Sequence, residues 1–226
     1  MNHKILGILI PVIGIPLVVI AGILFFGDRQ FAFISLAIAL LACIPFFMAF
    51  ENKKGVNSKR IVLLAVMITL SVIGRTFFVL IPFFKPVTAI VVIAAIYFGP
   101  ETGFLCGALS ALISNFYFGQ GPWTPFQMFA WGMIGLIAGL LGSRLSGNRI
   151  LLAVYGILAG VLYSLAMDIW VVVWMDGVFN GARYLAALIT SLPVTIVYAV
   201  SNVVFLLLTD KPLGRKLMRA KIKFGL

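Results

Sequence analysis

Apolar residues run through this chain in blocks of about twenty, parted by short polar breaks. A run of that length crosses a bilayer as a helix. Two such runs come first, at 5–26 and 31–50. The polar stretch ENKKGVNSKR follows at 51–60. Six more apolar runs come after it, at 61–81, 87–98, 103–118, 126–145, 150–175 and 184–208. The pattern predicts an all-α membrane protein with eight spanning helices, grouped two plus six, and no soluble domain. The run at 87–98 is short, so it is either tilted or shielded by its neighbours. The division expected is 1–58 for two N-terminal transmembrane helices with a cytoplasmic linker, and 59–226 for a six-helix membrane domain. The first run reads as a retained span. It is too long for a signal peptide, contains Pro11 and Pro16, and ends in FFGD without a small-x-small cleavage site.

Composition agrees with the pattern. The chain is 63% hydrophobic and 10% charged, against about a quarter charged in soluble domains. The formal net charge is +11, and placement of the charges excludes a nucleic-acid partner. One side of the predicted spans collects Lys4, Lys53, Lys54, Lys59, Arg60, Arg144, Arg149 and the tail KPLGRKLMRAKIKF. The other side has Arg29, Lys85 and Arg183. Lys and Arg concentrate on the cytoplasmic side of membrane proteins. Both termini are therefore expected in the cytoplasm of a multi-pass protein of the bacterial cell membrane. The basic tail reads as an anchor on anionic lipid, or else as a dock for a cytoplasmic partner.

Several chemistries are excluded. Cys43 and Cys106 fall inside spans without C-x-x-C spacing, and His3 is the only histidine. No metal site is expected. No G-x-x-x-x-G-K-[ST] occurs, so the chain does not hold ATP in a P-loop. Asp168 and Asp176 lie about two turns apart on one helix, too far for a catalytic carboxylate pair. No cofactor and no enzymatic activity are expected.

Small residues recur at helical spacing in three stripes: Gly99, Gly103, Gly107 and Ala111; Gly132, Gly135, Gly139 and Gly142; Gly156 and Gly160. Such stripes let helix backbones approach closely in lipid. They pack helices within the chain, or an exposed one faces a partner subunit.

Candidate ligand chemistry gathers on the side opposite the cations. The first segment carries Arg75, Phe78, Pro82 and Lys85. The second runs from Asn115 through Tyr117, Gln120, Trp123 and Gln127 to Trp131. The third carries Tyr163, Asp168, Trp170, Trp174, Asp176 and Arg183. Tyr and Trp collect at membrane interfaces whatever the function. That rule does not explain Arg75 and Asp168, which lie within spans. They form either a structural ion pair or the lining of a water-filled cavity. Gly119, Gly121, Pro122 and Pro125 predict that 115–127 is a shaped loop and not a span. Irregular backbone near membrane depth lies in protein or around a wet cavity. Amides and aromatic rings there suit a large, flat, neutral ligand better than an ion.

From Lys59 onward the chain resembles the six-helix substrate-binding S component of energy-coupling factor (ECF) vitamin importers. The residues that carry the resemblance are Arg75 with Pro82 and Pro86, the run AIVVIAAIYFGPETGFLCGALSALISNF, and the run FGQGPWTPFQMFAWGMIGLIAGLLG. The two N-terminal spans fall outside that pattern. The resemblance implies capture of a vitamin in an outward-facing cavity. It implies assembly with a transmembrane coupling protein and two cytoplasmic ATPases, which use the ATP. It places the docking surface at Ala65 and Thr69, where the family carries Ala-x-x-x-Ala. Among S components the chain looks most like those for cobalamin and related corrinoids. The residues themselves also admit riboflavin, a queuosine precursor or another heterocycle. A solitary ion-coupled transporter is the alternative, but no internal repeat with broken helices is evident.

Overall fold

The computed structural model describes residues 58–224, together with positions 13, 17, 43 and 44. The two N-terminal spans, the retained first run and residues 51–57 of the polar linker lie outside the described residues. Among the described residues every regular element is a helix.

Helix α1 is Ser58–Phe77. A loop of nine residues leads to α2, Val87–Phe98, which is apolar on all sides and buried along nearly its whole length. A helix apolar all round belongs in an interior. At about 18 Å long, α2 is too short to span a bilayer alone. Its neighbours shield it, which settles the choice left open by its length. Gly99, with φ of 95°, turns the chain, and Pro100 starts α3, Pro100–Phe118. Proline suits the first turn, where a missing N–H costs nothing.

Helix α4 is Thr124–Leu140, and α5 is a single turn, Gly142–Leu145. The span expected at 126–145 is therefore interrupted at Leu141. Helix α6, Arg149–Asp176, is capped at its start by Asn148, whose side chain accepts from the Leu151 N–H. It ends at Gly177 in the left-handed region. Helix α7 is Gly181–Phe224. Its 44 residues run about 66 Å, well past the end expected at 208. Pro193 and Pro212 lie inside it without ending it. The basic tail is thus a continuation of the last helix.

Helices α1, α6 and α7 are long and apolar enough to cross a membrane, while α2 and α4 are apolar but shorter. Ile61, Val62, Val66, Ile73, Leu185, Ile189 and Ile196 are exposed on the outer surfaces of α1 and α7. An exterior of this kind suits lipid.

All three small-residue stripes pack within the chain. A Cβ at Gly103 would lie 2.4 Å from the Gly135 carbonyl oxygen, and one at Gly107 would lie 2.3 Å from the Trp131 carbonyl oxygen. Gly139 sits on Pro100. These contacts join α3 to α4. Gly156 and Gly160 receive α7 at Asn202–Val203 and Ala199. At the opposite end from the aromatic cluster, Arg60 and Lys221 cap α2. Arg60 Nη2 donates to the Phe98 carbonyl at 2.9 Å, and Lys221 Nζ to the Tyr97 carbonyl at 3.0 Å. Those carbonyls have no partner within the helix.

Gly107→Ala should lower stability by about 1–3 kcal/mol, because the obstacle is the α4 backbone and cannot rotate away. Gly181→Ala, where an added Cβ meets nothing within 4 Å, should instead be neutral or raise stability by up to about 1 kcal/mol. Thermal unfolding in detergent reads both.

Candidate ligand-binding site

A cavity of about 330 Å³ opens in the half of the bundle away from the cation-rich end. Six segments line it, five helices and one loop. Arg75 comes from the last turn of α1, and Pro82, Phe83 and Lys85 from the loop after it. Val87 and Thr88 come from α2, Gln127 and Trp131 from α4, Tyr163 from α6, and Tyr198 and Asn202 from α7.

Arg75 is fixed from beneath. Its Nη1 donates to Ser114 Oγ and to Asn115 Oδ1, the latter at 2.8 Å. Asn115 is fully buried. Its Nδ2 donates to Thr124 Oγ1 and Gln127 Oε1, both at 2.9 Å. Thr124 donates to Gln120 Oε1 at 2.9 Å, and Gln120 Nε2 donates to the Leu112 carbonyl at 2.9 Å. One chain of hydrogen bonds therefore runs from the guanidinium to the α3 backbone. Such chains strengthen each bond by polarisation and hold one geometry.

Aromatic rings form the walls. Trp131 and Tyr163 stack at 5.0 Å with planes 14° apart. Tyr198 meets Tyr163 edge-on at 5.0 Å, and Phe83 meets Tyr198 edge-on at 5.7 Å. The Arg75 guanidinium lies 4.6 Å from the Phe118 ring centre and 5.4 Å from that of Trp131. Cations over ring faces are attracted by the ring quadrupole. Lys85 is the second cation, 5.7 Å from Phe118. Burial first, and then the Arg75 charge beside it, push its ammonium below the usual lysine range. Its backbone is clipped to α7: Lys85 N–H donates to Ser201 Oγ at 2.9 Å, and Ser201 Oγ donates to the Lys85 carbonyl at 3.1 Å. Phe83 has φ of 61°. For a bulky side chain this is a strained backbone, costing about 1–3 kcal/mol. The Tyr198 contact holds its ring on the cavity wall.

Of the residues singled out from sequence, Arg75, Lys85, Gln127, Trp131 and Tyr163 line the cavity. Asn115 lies under its floor as the hub of the network. Phe78 packs against Phe84 and Phe205, at 6.3 and 4.9 Å. Gln120 has both ends of its amide engaged within the protein and closes the α3–α4 loop. Trp123 meets Trp170 edge-on at 5.9 Å, and Trp170 stacks on Trp174 at 5.9 Å. Tyr117 is 73% exposed, edge-on to Phe118. Arg183 pairs with Asp176 at 2.6 Å, beyond the cavity.

Two expectations need correction. Arg75 and Asp168 form no ion pair, and they do not line one cavity: Asp168 Oδ2 accepts from Ser191 Oγ at 2.6 Å, between α6 and α7. The segment 115–127 is not one loop. Asn115–Phe118 end α3 and Thr124–Gln127 begin α4, so the irregular part is 119–123. Gly119, with φ of 101°, breaks the helix only where it stands. Pro125 falls in the first turn of α4, where proline starts a helix rather than breaking one.

Tyr198, Asn202, Phe83 and Thr88 were missed. Tyr198, Ser201 and Asn202 recur at helical spacing inside an apolar run. Polar groups so placed face a cavity or another helix, and that signal was available. Phe83 carried no sequence signal.

Neither a curated protein nor a solved structure matches the chain. The family described as the ECF-type riboflavin transporter, S component, matches residues 55–215. That stretch holds five of the six principal helices whole, α7 as far as residue 215, and every residue lining the cavity. With the match covering most of its length, this chain belongs to the S-component family of ECF-type transporters.

Proposed function

We propose that this chain captures riboflavin, or a flavin close to it, in the cavity between Arg75 and Tyr198 and presents it for ATP-driven uptake. The observation that carries this reading is the cavity itself. It combines a volume of about 330 Å³ with stacked aromatic walls and hydrogen-bond donors on its floor. Small-molecule sites span about 300–1,000 Å³, with mostly apolar walls and a few fixed polar groups. A flavin is flat, aromatic and of matching size. A corrinoid, the ligand favoured from sequence, is several times larger and would need the cavity to open far beyond its described volume. The match to a riboflavin-type family points the same way.

The sidedness follows from charge. Among the described residues the cavity half carries Arg75, Lys85 and Arg183, while the opposite end carries Lys59, Arg60, Arg144, Arg149 and the basic residues of α7. The Lys and Arg bias supports a cavity on the extracellular side and an end of α7 in the cytoplasm. Energy comes from partners: a transmembrane coupling protein and two ATPases.

Docking on the coupling protein fits α1. A groove of about 290 Å³ is lined by Ala65, Ile68, Thr69, Val72 and Ile73, with Ile113 from α3. Thr69 stands where the family has alanine. Its hydroxyl donates to the Ala65 carbonyl of its own helix at 2.9 Å. The polar atom is satisfied locally, and the methyl group is left for the groove. The substitution thus keeps the face small and apolar.

Calorimetric titration of the purified chain with riboflavin and with cobalamin tests the reading. Tight, saturable riboflavin binding without cobalamin binding is expected; the reverse result would restore the corrinoid. Gln127→Ala should weaken riboflavin binding about tenfold or more by removing a buried polar partner. Trp123→Ala, which touches Trp170 and not the cavity, should leave affinity close to wild type. An equal loss in both would extend the site to the 119–123 loop. Ala65→Leu should leave riboflavin binding intact and reduce co-purification with the coupling protein; retained assembly would take α1 out of the interface.

A further inference from the structure

We propose that Arg75 reads the edge of the bound ring, and that the ring it selects carries two neighbouring hydrogen-bond acceptors with no donor between them. This rests on the flavin reading above and names the part of the ligand that is recognised.

A guanidinium has five N–H donors in one plane. Both donors of Nη1 are spent on Ser114 and Asn115. Nε and Nη2 donate to no protein acceptor among the described residues. Nor are they sealed in the interior. Neither is among the buried side-chain nitrogens and oxygens of the described residues that lack a partner. The free nitrogens of Arg75 therefore open on solvent space, and the space that Arg75 lines is the cavity. With Nη1 tied to α3 and the plane held against the Phe118 and Trp131 rings, the fork cannot turn away. Its Nε–Nη2 edge matches two adjacent acceptors, as in bidentate carboxylate recognition.

The surroundings select for the same ligand edge. The serine and amide oxygens beside Arg75 are already used: Ser114 Oγ and Asn115 Oδ1 accept from Arg75, and Gln127 Oε1 accepts from Asn115. With its oxygen taken, Gln127 offers its NH₂ group to the Tyr163 hydroxyl and to the cavity. Among the described residues no carboxylate lines the cavity, and Lys85 adds a second cation. A ligand edge bearing N–H groups would leave these donors facing donors, unpaired, which is costly in a buried site. Among the amide side chains lining the cavity one acceptor remains, beside the hydroxyls of Thr88, Tyr163 and Tyr198, which can donate as well as accept. Asn202 Nδ2 donates to the Gly156 carbonyl at 3.2 Å, leaving Oδ1 for a single ring N–H. The oxidised isoalloxazine ring meets these demands. It has two acceptor-only edges, N1 with the C2 carbonyl and N5 with the C4 carbonyl, and a single imide N–H at N3.

The test pairs changes in the ligand with changes in Arg75. The full chain in detergent is titrated with riboflavin, 1-deazariboflavin and 5-deazariboflavin, for wild type, Arg75→Gln and Arg75→Lys. Each deaza analogue replaces one acceptor nitrogen by C–H and keeps the shape. Wild type should bind one of the two about ten- to a hundredfold more weakly than riboflavin, the loss of one charge-assisted hydrogen bond. Arg75→Gln should bind riboflavin more weakly and no longer distinguish it from that analogue. Arg75→Lys keeps the charge but not the fork, and should lose most of the discrimination. Equal affinity of wild type for all three flavins overturns the proposal without recourse to any variant. Retained discrimination in Arg75→Gln overturns it as well. If wild type fails to bind riboflavin itself, the flavin reading falls and this inference falls with it. Thermal unfolding of each variant identifies one that has not folded; the wild-type analogue series then decides alone.

Discussion

The contact between the backbones of α3 and α4 fixes everything above it. In lipid no hydrophobic force squeezes two helices together, so close packing of small residues has to hold them. Gly103 lies against Gly135, and Gly107 against the carbonyl of Trp131. That contact sets the register of the hairpin. The residue whose carbonyl rests on Gly107 is the one whose indole lines the cavity. About two turns further along α3, the same register brings Asn115 opposite Thr124 and Gln127 at hydrogen-bonding distance. A slip of one residue would rotate Asn115 by about 100° and leave Arg75, Gln127 and Thr124 without their shared partner. The polar floor of the cavity is therefore a consequence of glycines that never touch it.

Much of this was legible in the chain, for identifiable reasons. The six-helix plan from residue 59 onward follows from hydrophobic run length. The ends of α2 are marked by Pro86 before it and Gly99 after it. The small-residue stripes announced close helix pairs but not which pairs, since spacing carries no address. The reading of 115–127 as one loop erred because Gly119 and Pro125 act at single positions, and proline in a first turn favours the helix. Arg75 and Asp168 were each recognised as out of place in an apolar span. Their separate partners, Asn115 on α3 and Ser191 on α7, depend on how helices meet in space. Asn202 and Tyr198 were passed over because their run reads as apolar when averaged. Only their helical spacing betrays a polar face.

The two ends of the bundle use cations differently. At the end rich in Lys and Arg, charge meets backbone: Arg60 and Lys221 donate to the last carbonyls of α2, where the helix dipole is negative. Gly214 lets the extension of α7 press on Tyr97, where an added Cβ would lie 2.1 Å from the hydroxyl oxygen. The tail, read from sequence as a lipid anchor or a dock for a cytoplasmic partner, closes the shortest of the six principal helices. At the cavity end the cations have no carboxylate facing them across the cavity. Arg75 and Lys85 face ring surfaces and amide oxygens.

That difference bears on how tightly the cavity can hold a neutral ring. A buried guanidinium is costly in a membrane unless its donors are met. Two donors of Arg75 are met permanently by α3, and the remainder open on the cavity. In the proposed binding mode, a ligand that supplies acceptors would complete the set while its flat faces cover Trp131 and Tyr163. The floor is already ordered by a hydrogen-bonded chain running to the Leu112 carbonyl, so binding need not freeze those side chains. The opposite wall is held by the two hydrogen bonds between Lys85 and Ser201, with strain stored at Phe83. A site ordered before its ligand arrives loses less entropy on binding. The same rigidity makes it selective, because a donor presented to an immobile donor finds no alternative geometry. If a flat ring binds as proposed, affinity and discrimination in this cavity share one cause, the fixed direction of the Arg75 fork.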